Sequence, residues 1–70
     1  MTRADYMNAA ATAITESTGI SITAQQAEMV LGPVWDIAQR EAVDAAQFSR
    51  IMKNACGRLA CDLRDLRAAA

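Results

Sequence analysis

The sequence predicts an all-α protein: a small bundle of two to four helices, with a long C-terminal helix or helix pair, completed by dimerisation. Three observations carry that prediction. The first is composition. Sixteen of the 70 residues are alanine, one is proline and three are aromatic, which favours helix and disfavours strand because alanine loses no side-chain entropy in a helix. The second is a seven-residue repeat, since Leu31, Ala38, Ala45, Met52, Leu59 and Leu66 stand in unbroken register. A 3.5-residue average spacing of apolar residues belongs to helices packed side by side. The third is size. Seventy residues form one domain, residues 1–70, and small single cores supply only a few kcal/mol, so outside support is expected. With two cysteines and no histidine, self-association is the natural source of that support.

The elements follow in order. Thr2 and Asp5 form a loose capping box with an acid near the positive end of a helix dipole, so a first helix is expected over about residues 3–18. Its apolar positions, Tyr6, Met7, Ala10 and Ile14, recur at helical spacing, and Ala9 and Ala13 keep that side slim. Gly19 is the natural stop because it accepts a left-handed backbone. After the extended connector Ile20-Ser21-Ile22, Thr23 and Gln26 form a second capping box that starts a helix at Ala24. This helix is expected to carry Ala27, Val30 and Leu31 inward and to leave Gln25, Gln26 and Glu28 outside. Gly32-Pro33 should end it near Leu31, because proline lacks the N–H for an interior bond and suits the first turn of a new helix. A proline kink within one continuous helix is the alternative.

A third helix over about residues 33–67 would reach roughly 50 Å at about 1.5 Å per residue, whereas a globule of this chain length is only about 30 Å across. Either the helix breaks or a second copy covers it. A break is available at Val43–Asp44, where Asp44 can cap, Gln47 can return the bond, and Val43 with Phe48 can act as a hydrophobic staple. Ala42, Val43, Ala45 and Ala46 would equally continue a helix, so both arrangements stay open. In either one, Phe48, Ile51, Met52, Ala55, Leu59, Leu63 and Leu66 form the face to be buried, as core or as interface.

The sequence carries no catalytic set. Without histidine neither cysteine nor serine has its usual base, and no catalytic, cofactor-binding or metal-ligating residue is identified. Cys56 and Cys61, five apart on a helix, point to different faces, so an internal bridge is disfavoured and reduced thiols are expected. Asp36 with Arg40, and Arg58 with Asp62, read as solvated helical ion pairs. The N-terminal residues lack the apolar core of a signal peptide and no apolar run is long enough to span a membrane, so a cytoplasmic location is expected.

Seven basic and eight acidic residues leave a net charge of −1, which argues against binding nucleic acid through the overall field. Arg50, Lys53 and Arg58, with no acid between Ala45 and Cys61, offer a patch for an acidic partner, or for nucleic acid if a dimer doubles it. The stretch from Thr23 to Gly32 resembles the first helix and turn of helix-turn-helix DNA-binding proteins. It departs at Glu28, where that family prefers a small side chain, and the segment from Val34 to Ala46 carries one arginine and three acids where a recognition helix needs donors. The Asp-Ser-Leu site of acyl carrier proteins and the Trp-x-Gly turn of small secreted helical hairpins are absent.

The function expected from these residues is non-enzymatic: a small helical regulator, adaptor or inhibitor of the kind compact phage or mobile-element genomes encode. It would bind itself and another protein, with no cofactor and no membrane. A DNA-binding transcriptional regulator is the alternative.

Overall fold

A computed structural model describes residues 2–69 and shows three helices, α1 (Arg3–Thr18), α2 (Ala24–Glu41) and α3 (Ala45–Ala69). Among the described residues there is no strand. Helix α1 opens on a reciprocal capping box in which the Thr2 hydroxyl accepts from the Asp5 N–H and the Asp5 carboxylate accepts from the Thr2 N–H. It closes at Gly19, whose left-handed φ of 73° lets its N–H reach the Thr15 carbonyl. Its buried side is Met7, Ala10, Ala11, Ile14 and Thr18, a spacing that keeps one stripe turned inward. Ala9 and Ala13, expected on the slim inner side, are exposed; Ala10 and Ala11 take that place. The buried Thr18 hydroxyl is fully employed, donating to the Ile14 carbonyl and accepting from the Ile20 N–H.

The connector after Gly19 is fastened by Thr15, whose hydroxyl accepts from the Ile22 N–H and donates to the Ile22 carbonyl. Helix α2 then starts at the Thr23–Gln26 capping box. It does not end near Leu31. The helix continues through Gly32 and Pro33 to Glu41, which corrects the expected helix at residues 24–31 and the expected new start at residue 33. Two features make the passage tolerable. The bond Pro33 cannot donate would have gone to Met29, and both residues are exposed, so water can serve the free carbonyl. Gly32 is buried beneath the Arg3 and Glu28 side chains, so tertiary packing holds this segment helical where local rules favour a stop. Val30, expected inward, is 49% exposed, and Glu28 is half-buried in an ion pair.

The chain turns at Ala42–Asp44. The Asp44 carboxylate accepts from the Gln47 N–H, the Gln47 side chain accepts from the Val43 N–H, and Phe48 makes the first helical bond back to Asp44. Val43 is 84% exposed, so it does not staple this corner. Between Leu31 and Leu66 the chain therefore occupies two helices, and the seven-residue register runs straight across the corner between them. Leu31, Ala38 and Met52 are buried and Leu59 half-buried, but Ala45 and Leu66 are exposed. The 50 Å helix that seemed to need a second copy does not form. Helix α3, roughly 37 Å at about 1.5 Å per residue, lies along α1 and α2 in a molecule 40 Å long.

All three helices meet in one core. Its buried apolar residues are Met7, Ala10, Ala11, Ile14, Ala27, Leu31, Ala38, Met52 and Ala60, five of the nine being alanine. Half-buried Tyr6, Val34, Trp35, Phe48, Ile51, Leu59 and Leu63 pack around it. The helices thus approach closely, while few large side chains are wholly withdrawn from water.

Candidate functional site

Three groupings of side chains stand out, and only one is open. At one end of the bundle the three aromatic residues meet, one from each helix. The Tyr6 and Trp35 rings lie 5.4 Å apart, and Trp35 meets Phe48 edge-on at 4.8 Å and 88°, a geometry that suits the ring quadrupoles. The Tyr6 hydroxyl and the Cys56 thiol are 3.3 Å apart. Burial, reinforced by that thiol, holds the Tyr6 phenol protonated well above its ordinary pKa of 10. This cluster fastens the helices together.

The second grouping fastens α1 from outside. Arg3 pairs with Glu28 and, at 2.6 Å, with Asp36, tying the first turn of α1 to α2. The hydrogen bond to Glu28 is the main reason its guanidinium holds its proton more firmly than usual. At the other end of α1, Arg67 donates to the Thr18 carbonyl at 2.6 Å, and Arg64 reaches the Ser17 hydroxyl at 3.1 Å. Helix α1 has no basic residue in its own last turn, so α3 supplies the cations that complement its dipole.

The third grouping is a groove between α2 and α3 on the side away from α1. One part, about 350 Å³, is walled by Ile20, Ile22, Met29, Val30, Leu59 and Leu63. An adjoining part of about 200 Å³ shares Val30 and Leu59 and adds Val34, Ala55, Arg58 and Asp62. Val30, Val34 and Ile37 recur along α2 at four- and three-residue steps, with Met29 beside them. Met29, Val30 and Ile37 are 74%, 49% and 43% exposed. Such an exposed apolar strip, rimmed by polar groups, marks an interaction surface.

Of the face expected to be buried, Met52 lies in the core, Phe48 and Ile51 pack on its edge, and Ala55, Leu59 and Leu63 also border the groove. Leu66 is 66% exposed and belongs to no part of the chain's own core. Arg50, Lys53 and Arg58 are all exposed but do not converge: at about 100° per residue, Lys53 and Arg58 point roughly 140° apart. Only Arg58 reaches the groove. Met29, Ile20 and Ile22 were not expected at a site. The signal for the α2 wall, Val30 and Val34 one turn apart with Ile37 beyond them on the same flank, becomes visible once the helix is read through Pro33.

Cys56 and Cys61 are free thiols, half-buried and exposed respectively. Among the described residues no group of three or more cysteine, aspartate or glutamate side chains is arranged to hold a metal ion, and no helix is long and apolar enough to cross a membrane. The turn that the helix-turn-helix resemblance places at Gly32 is absent, because α2 runs through it. No protein-family model, curated protein or solved structure matches the chain significantly.

Proposed function

We propose that this chain is a small non-enzymatic binding protein, a regulator, adaptor or inhibitor, whose working surface is the α2–α3 groove. The observation that carries the reading is the pair Met29 and Val30, left open on the wall of the same groove that Leu59 and Leu63 border, with exposed Ile37 further along the same flank of α2. A groove between two helices accepts the apolar face of a third, with side chains at helical spacing as anchors. Its two free thiols suit a reducing compartment such as the cytoplasm.

Val30→Asp tests the reading, because it sets a charge in the apolar wall at a position already half-exposed, where the fold tolerates it. Tagged wild-type and variant proteins are used to capture partners from the native host, with quantitative mass spectrometry and circular dichroism on each. The reading expects a retained partner whose recovery falls at least about tenfold with the variant while helix content is unchanged. Equal recovery by both proteins overturns it. So does salt-sensitive retention on duplex DNA that survives Val30→Asp, which would favour a nucleic-acid binder.

A further inference from the structure

We infer that the occupant of this groove is a second copy of the chain, docked about a two-fold axis with its α3 antiparallel to the first; the inference rests on the groove being the binding surface. Helix α3 carries a continuous stripe on the groove side. Ile51, Ala55, Arg58, Asp62, Leu66 and Ala69 recur at steps of four, three, four, four and three residues, which keeps them along one flank of a helix. Arg58 and Asp62 border the groove itself.

This stripe is complementary to its own reversal. Place a two-fold axis midway between Arg58 and Asp62. Arg58 then faces Asp62 of the second copy, and Asp62 faces Arg58 of the second copy. Ile51 falls opposite Ala69 of the second copy, and Ala55 falls within one residue, about 1.5 Å along the axis, of the level of its Leu66. Cation meets anion at the axis, and apolar side chains meet on either side of it. Shifting the register by one turn in either direction sets charge against apolar side chains. An isologous two-fold contact demands this self-matching, since the same patch must serve on both sides.

Three further facts agree. The ion pairs among the described residues are those of Arg3 with Glu28 and Asp36, so Arg58 and Asp62 are in none within the chain. Leu66 is 66% exposed, and the docked copy would cover it. A long face of the molecule, 40 Å by 16 to 19 Å, is of the size of the roughly 800 Å² per partner that a standard interface buries. With α2 and α3 of both copies in contact, the assembly is a four-helix arrangement that covers Val30 and Leu66, which the single chain leaves exposed, and completes the burial of Val34 and Leu59. The corner at Ala42–Asp44 leaves no helix of roughly 50 Å to cover, but the small alanine-rich core and the exposed stripe both still call for a partner.

Charge exchange tests both the association and its register. Sedimentation equilibrium is run on the wild type, Arg58→Asp, Asp62→Arg, an equal mixture of the two variants, and the double variant, with circular dichroism confirming the fold of each. The wild type is expected at twice the 7.5 kDa chain mass. Each single variant sets like charges opposite one another twice and should associate at least about tenfold more weakly. The mixture and the double variant both restore opposite charges and should recover the dimer. A wild type that stays at 7.5 kDa up to millimolar concentration overturns the inference. A dimer that ignores the single substitutions overturns it too, as does a mixture that shows no recovery. These failures differ from failure of the groove as a binding surface: a monomer whose partner capture is still lost with Val30→Asp keeps the surface and discards the second copy as its occupant.

Discussion

Replacing each of two glycines by alanine should move stability in opposite directions, and the structure gives the size of each effect. Gly57 sits in the interior of α3 with open space where a Cβ would go. Nothing opposes the ordinary helix preference of alanine, worth about 0.8–1 kcal/mol over glycine. At about 4–8 °C per kcal/mol for a domain of this size, Gly57→Ala should raise the melting temperature by roughly 3–8 °C. Position 57 lies away from the Arg58–Asp62 stripe, so the gain should not depend on protein concentration. Gly19 has φ of 73°, a conformation that costs an L-residue about 1–2 kcal/mol. A Cβ there would also collide with the Arg67 guanidinium, displacing it from the Thr18 carbonyl. Gly19→Ala should therefore lower the melting temperature by at least about 4 °C. Thermal unfolding followed by circular dichroism at neutral pH measures both. A Gly57→Ala protein no more stable than the parent would show that this face of α3 is covered, and an unaffected Gly19→Ala protein would show that α1 does not end in a left-handed cap.

Met52, 1% exposed, should cost about 2–5 kcal/mol on replacement by alanine. Leu59→Ala should cost less because Leu59 is half-buried, and Leu66→Ala should stay within about 0.5 kcal/mol in dilute protein; urea unfolding at low micromolar concentration ranks the three. Tyr6 is the only tyrosine, so tyrosinate absorbance reports it alone. In the folded protein it should appear only well above pH 10, and in urea near pH 10. Because the folded phenol holds its proton more tightly than the unfolded one, this contribution to stability is complete below pH 10 and is lost as pH rises beyond it. Tyr6→Phe should remove that part of the alkaline decline. Arg3→Met should lower the melting temperature at low salt and by less at high salt, since the pairs with Glu28 and Asp36 are solvent-accessible; equal losses at both salt concentrations would mean that packing, not charge, is what Arg3 provides.

What could be seen in the sequence was local. The boxes Thr2–Asp5 and Thr23–Gln26 each lie within one turn, and Gly19 acts through its own backbone, so spacing and residue type suffice to find them. The corner at Asp44 was visible as one of two options, because the Asp44–Gln47 pair competes with alanines that would equally continue a helix. Passage through Pro33 was hidden: the local rule for proline was outweighed by packing at Gly32, where the covering side chains include Arg3, far away along the chain. The seven-residue repeat misled for a related reason. A period records which residues could share a face of one helix, and it cannot show that the helix turns a corner between Ala38 and Ala45. The groove draws on α2, α3 and the connector, so no single stretch displays it.

The attachment of α3 to the end of α1 bears on the order of assembly. Arg64 and Arg67 meet partners 47 and 49 residues earlier in the chain. The pairing of α1 with α2 is a short-range event of the kind that proceeds quickly. The last carbonyls of α1 then face water until residue 67 is free to reach them. Closure of the first helix is thus delayed until the last turns of α3 dock, and α1 and the far end of α3 become committed together.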